Sequence, residues 1–151
     1  MHKYSCELIV DGAINEVFDF FNKPENLVKL MPKFMSFQLL TPQPLIMKEG
    51  AVFDYVVSIF GIKQRWTTYI NHYNPPNNFS DIQLKGPNSY WHHTHQFISS
   101  DNGTIVRDKI EYMLPFGFLG KIANALVMKW IISKLFSHRK KVVSEIFGLN
   151  E

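Results

Sequence analysis

A chain of 151 residues can bury roughly two thirds of its unfolded surface in one domain and leaves little room for a second. Apolar residues make up 46% and aromatics 15%, with thirteen phenylalanines, a composition that points to a thick core or an aromatic-lined pocket. The net charge of +3 includes only three arginines and forms no clustered footprint for a phosphate backbone, which argues against nucleic acid as a partner.

Cys6 stands alone and cannot form an internal disulfide, and the first residues lack the layout of a secretion signal. A cytoplasmic location is the expectation. Tyr4, Cys6, Leu8 and Val10 alternate with polar residues and mark a first strand ended by Asp11-Gly12. The period then changes: Ile14, Val17, Phe18 and Phe21 fall on one face of a short helix. Pro24 suits the first turn of a second helix with Leu27, Leu30 and Met31 on its apolar side, and Pro32 closes it.

Strand-like runs follow at about 34–41, 51–60, 63–73, 78–85, 90–99 and 104–114, separated by segments rich in Pro, Gly, Asn and Asp. The connections are short, so neighbouring runs are expected to pair antiparallel. In the third and fourth strands of the chain both parities carry apolar groups; Phe53, Tyr55, Trp66 and Ile70 are taken to face inward. After Pro115-Phe116-Gly117 a helical pattern runs to about Phe147, with Gly148 as a stop. Leu119, Ile122, Ala123, Leu126, Val127, Trp130, Ile131 and Leu135 form its apolar stripe, and interrupting lysines argue against a membrane span. Its basic end, His138 to Lys141, reads as a solvated, dipole-balancing surface, with an acidic membrane surface as the weaker alternative.

The segment from Tyr90 to Gly117 carries the most chemistry. Trp91, His93, His95 and Phe97 share one parity of its first strand; Val106, Asp108, Ile110 and Tyr112 share one parity of its second. A loop at Asp101-Asn102 places His95 opposite Asp108 and Trp91 opposite Tyr112, whereas a loop at Asn102-Gly103 shifts the parity; turn chemistry leaves the two open. The order strand, two short helices, six strands and long helix predicts an α+β fold. About seven antiparallel strands would form a curved sheet wrapped around the C-terminal helix, with aromatics lining a hollow where the sheet curls away.

The ordered set Ile14–Phe21, Leu30-Met31-Pro32, Glu49-Gly50, Phe60-Gly61, Gly86-Pro87, Trp91–Phe97 and Gly103 through Pro115-Phe116-Gly117 resembles the SRPBCC superfamily. This group is also called START-like or helix-grip, and the likeness is to small bacterial polyketide cyclase/dehydrase and lipid-transport members over nearly the whole chain. The resemblance implies a deep, mostly apolar cavity for lipids, sterols, polyketides or other hydrophobic molecules. It transfers no catalytic residue.

Three readings of the polar hairpin face compete. The preferred one is ligand orientation: Phe53, Tyr55, Trp66, Trp91, Tyr112, Leu126 and Trp130 supply apolar surface, and His93, His95 and Asp108 fix a polar group. The second is acid–base catalysis of the cyclase or dehydratase kind by His93, His95, Asp108 and Tyr112, against which stands a satisfied core network. The third is a metal site at His93, His95 and Asp108, whose ligand set looks incomplete, so neither metal nor cofactor is expected. A protein-interaction module is a further alternative; the sequence is silent on oligomeric state.

Overall fold

The computed structural model describes residues 1–149. β1 (His2–Val10) leads into helix α1 (Ile14–Phe21) and a 3-10 turn at Pro24–Leu30. Six strands follow: β2 (Met35–Leu39), β3 (Val52–Ile59), β4 (Ile62–Asn74), β5 (Asn78–Lys85), β6 (Tyr90–Ser100) and β7 (Gly103–Met113). The C-terminal helix is α-helical over Gly117–Ala123, π-helical over Asn124–Met128 and α-helical again over Lys129–Phe147. The second short helix is thus a 3-10 turn rather than an α-helix. Pro24 opens it, and Met31 before Pro32 is already extended (ψ 131°), leaving too few residues for a stable α-helical ladder.

The seven strands form one antiparallel sheet in the order β1-β7-β6-β5-β4-β3-β2. α1 and the turn after it carry the chain from one edge of the sheet to the other, and each later strand pairs with its predecessor until β7 meets β1. Between β4 and β5 the register shifts at Thr67/Thr68 and at Ile70/His72. Such irregularities bend a strand and increase its twist, which curls the sheet.

The β6–β7 loop is Asp101-Asn102, closed by the pairing of Ser100 with Gly103. His95 therefore faces Asp108, and Trp91 faces Tyr112. Gly103 has φ 119°, and a Cβ there would lie 2.1 Å from the carbonyl oxygen of Val10. Only glycine satisfies both demands, so the hairpin's register is also fixed from the β1 side.

At one end of the concave face Val10, Val17, Phe18, Phe97, Val106 and Val143 form a close-packed core. Phe18 meets Phe79 and Phe97 edge-on at 5.9 and 5.3 Å. A second cluster joins Ile110 and Tyr112 of β7 to Ile132 and Phe136 of the helix.

The predicted apolar stripe of the helix does not face this core over its first half. Leu119, Ile122, Leu126, Val127 and Trp130 are exposed, Leu126 by 74%. The line turned to the sheet is Gly120, Asn124, Met128, Ile132, Phe136, Arg139 and Val143, about one residue away around the helix. Asn124 is held there by hydrogen bonds with Tyr112 and His2. Gly120 sits where a Cβ would come within 2.3 Å of the Pro115 carbonyl oxygen. These contacts fix the rotation of the first half, and the π turn takes in an extra residue before the apolar line resumes.

Candidate functional site

Where β2 to β5 curl away from the helix, a cavity of about 180 Å³ remains. That is room for on the order of ten waters, far more than packing defects leave. Its walls are mostly apolar: Phe37, Phe53 and Val57 from the outer strands, and Ile131, Leu135 and Phe136 from the helix. Tyr55, Trp66 and Ile70 also line it, so the inward parity of β3 and β4 is the expected one. Tyr55 and Trp66 stack with centroids 6.2 Å apart, and Trp66 meets Trp91 edge-on at 5.3 Å.

One corner is polar. Asp81 of β5, His93 and His95 of β6 and Arg139 of the helix all reach the cavity wall. Behind them Asp108 of β7 is 1% exposed. Its Oδ1 accepts from His93 Nε2 at 2.9 Å and from Arg139 Nη1 at 3.2 Å. His95 Nδ1 lies 2.9 Å from the same oxygen but is poorly aligned for a hydrogen bond. An ionised carboxylate only accepts, so His93 carries its proton on Nε2 and keeps a lone pair on Nδ1. The rings of His93 and His95 are 3.9 Å apart, His95 stacks on Phe79 at 4.4 Å, and His95 Nε2 points to Asp81 Oδ2 at 3.8 Å.

Burial sets the electrostatics of this corner. Burial alone would raise the Asp108 carboxyl, but the Arg139 guanidinium and the two imidazoles hold it well below the usual carboxylate range. Burial, with the neighbouring His95, lowers His93 to about 3, so its imidazole is neutral. Asp81 is pushed up to about 6, chiefly by burial, against the pull of His95 and Arg139. Its side chain retains 16% exposure, and the cavity is what it faces. Trp66 Nε1 and Arg139 Nε, both on cavity-lining residues, are buried without a hydrogen-bond partner among the described residues.

The residues singled out in the sequence divide into three groups. Phe53, Tyr55, Trp66, Trp91, His93 and His95 line the cavity; Asp108 stands behind its wall, accepts a hydrogen bond from His93 and lies against His95. Tyr112 is buried, but its hydroxyl is spent on Asn124. Leu126 and Trp130 are corrections: neither lines the cavity, because that half of the helix turns Gly120 and Asn124 to the sheet. Trp130 instead joins Phe34 and Phe60 in an outer aromatic cluster, at 5.3 and 6.0 Å.

Arg139 is the second correction. It is 5% exposed and not part of a solvated basic surface, and its guanidinium lies 4.7 Å from the Phe136 ring. Asp81 and Arg139 were both missed as site residues. Asp81 shares the parity of buried Phe79, and Arg139 follows Ile132 and Phe136 on one helix line, so each left a trace in the spacing.

No helix among the described residues is long and apolar enough to cross a membrane. No curated protein matches the sequence at a significant level. Among solved structures, a Chromobacterium violaceum protein superposes with TM-score 0.75 at 12% identity, covering 98% of each chain. A Thermus thermophilus protein gives TM-score 0.68 at 18% identity, covering 96% of this chain and 99% of that one. A START superfamily protein from Mycobacterium smegmatis gives 0.70 at 10%, covering 97% of each. At such identities these likenesses establish the START-like, helix-grip fold. The family described as polyketide cyclase/dehydrase and lipid transport matches residues 10–138; strands β2 to β7, every cavity-lining residue but Arg139 and most of the helix fall within that span, and the chain belongs to this family.

Proposed function

We propose that the protein binds and carries one small hydrophobic molecule, of the lipid, sterol, polyketide or aromatic kind, with its polar end at the Asp81–His93–His95–Arg139 corner. The observation that carries this reading is the asymmetry of the cavity: apolar and aromatic over most of its wall, with hydrogen-bonding groups gathered in one place. Family membership supports a hydrophobic-ligand role. The partnerless N–H groups of Trp66 and Arg139 suit a ligand oxygen, since a buried unpaired donor costs roughly 1–3 kcal/mol. Trp66 and Trp91 also provide a probe. Titrating delipidated protein with fatty acids, sterols and aromatic polyketides should change their fluorescence saturably for at least one class, and Val57→Trp, which fills the hollow, should remove the response. A flat response to every class would contradict the proposal.

One observation favours a second reading. His95 stands between the carboxylates of Asp108 and Asp81 and faces the cavity, an arrangement able to move a proton on a carbonyl substrate. In an enzyme of the cyclase or dehydratase kind, His95→Ala would abolish turnover with affinity nearly intact. In a carrier it would lower affinity alone.

A further inference from the structure

We propose that Asp81, His93 and His95 form a binding site for a divalent first-row metal ion such as Zn2+ or Fe2+. One ligand atom of each lies within 4.8 Å of the others. Bonds of about 2.0–2.2 Å would require these side chains to close by roughly 1 Å, within the reach of side-chain torsions. Two imidazoles and one carboxylate make a three-ligand set that leaves further positions open.

The surroundings meet a stricter requirement. Asp108 engages His93 through Nε2 and lies against Nδ1 of His95, so the free nitrogens are His93 Nδ1 and His95 Nε2. Ligating histidines characteristically have their second nitrogen held by a carboxylate, which fixes the ring and raises its basicity. Arg139 anchors that carboxylate in turn. The corner brings two carboxyl groups, Asp81 and Asp108, together with a single guanidinium, Arg139, so a carboxyl oxygen of Asp81 remains for a cation beside it.

Metal binding stands or falls separately from the carrier reading, because metal content is measured with no organic molecule present. Protein purified without added metal and then titrated with Zn2+ should bind close to one ion per chain. Co2+ in its place should give the visible ligand-field bands of a low-coordinate N,O site. Asp81→Asn, which keeps the side-chain shape, and His95→Ala should each weaken Zn2+ binding tenfold or more; His72→Ala, at an exposed position, should leave it unchanged. Circular dichroism of the metal-free variants separates lost ligation from lost fold. Binding well below one ion per chain, or stoichiometric binding that survives Asp81→Asn in a folded protein, would overturn the assignment.

A different feature carries a second inference. The first half of the C-terminal helix and the β3–β4 turn expose Phe60, Ile62, Phe116, Phe118, Leu119 and Leu126, each by more than 60%. Exposed lysines 121, 129 and 134 lie on the same helix, and the sequence has no acidic residue between Glu111 and Glu145. Apolar side chains beside unbalanced cations complement an anionic bilayer surface, where rings enter the acyl boundary and ammonium groups meet lipid phosphates. The Phe34–Phe60–Trp130 cluster sits next to Met35, Ile59 and Met128 of the cavity wall, so the docked face would adjoin the cavity.

We infer that this face docks on anionic membranes. Ligand-free protein should sediment with phosphatidylglycerol-containing vesicles, and far less with pure phosphatidylcholine or at high salt. Phe118→Ser with Leu126→Ser should abolish the association while leaving the fold intact. Lys121→Gln and Lys129→Gln should each weaken it about fivefold. Equal binding to neutral vesicles, no sedimentation, or concentration-dependent dimerisation removed by the same double variant would overturn it.

Discussion

The two halves of the C-terminal helix invert the usual relation between hydropathy and burial. The first half leaves Phe118, Leu119 and Leu126 in solvent and turns Gly120 and Asn124 inward. The second half buries Ile132, Phe136 and Val143, and with them a charged arginine. What decides burial is the partner surface offered. Tyr112 presents a hydroxyl that Asn124 can accept, and Asp108 presents a carboxylate that Arg139 can pair. The first half is thus anchored by fit and hydrogen bonds, leaving its apolar side free. The second is anchored by area, and it closes the cavity.

The contrast can be broken most severely at the charged contact. Asp108→Ala strands the Arg139 guanidinium in the interior and releases both histidines. It should cost about 3–5 kcal/mol in urea unfolding, the range for breaking a buried pair. Ile132→Ala removes apolar area from the second half and should cost about 2–5 kcal/mol. In the first half the sensitive contact is polar: Tyr112→Phe leaves Asn124 Oδ1 without its donor and should cost about 1–3 kcal/mol. Leu126→Ser, on the outer side of the same half, should change stability by no more than about 0.5 kcal/mol. Were Leu126→Ser as damaging as Ile132→Ala, the exposed face would be a buried one and the comparison would fail.

These differences also explain what could be read from the chain. Strand parity survives translation into structure because alternation has a period of two and one face is buried; Trp91, His93, His95 and Asp108 fell on the inward side for that reason. The pairing partners needed one more fact, the clash that Gly103 alone avoids against Val10, and that contact spans most of the chain. A helix has no such binary choice. Its stripe was placed about one residue off because Asn124, a polar residue that hydropathy assigns to solvent, is the one that faces inward, and because a π turn leaves no mark in hydropathy. Arg139 was hidden among His138, Lys140 and Lys141, where a run of charge looks like surface. Asp81 sits in a strand whose inward parity only Phe79 announces, and its role depends on β6 bringing the two histidines alongside.

In the proposed function the cavity holds one hydrophobic molecule by its polar end. Native mass spectrometry tests it most directly, on protein stripped by organic extraction and then incubated with a mixture of fatty acids, sterols and aromatic polyketides. A single adduct per chain from one chemical class is expected, reduced in His95→Ala and absent in Val57→Trp. An extracted protein that takes up none of them, or takes them up equally when the hollow is filled, would contradict it.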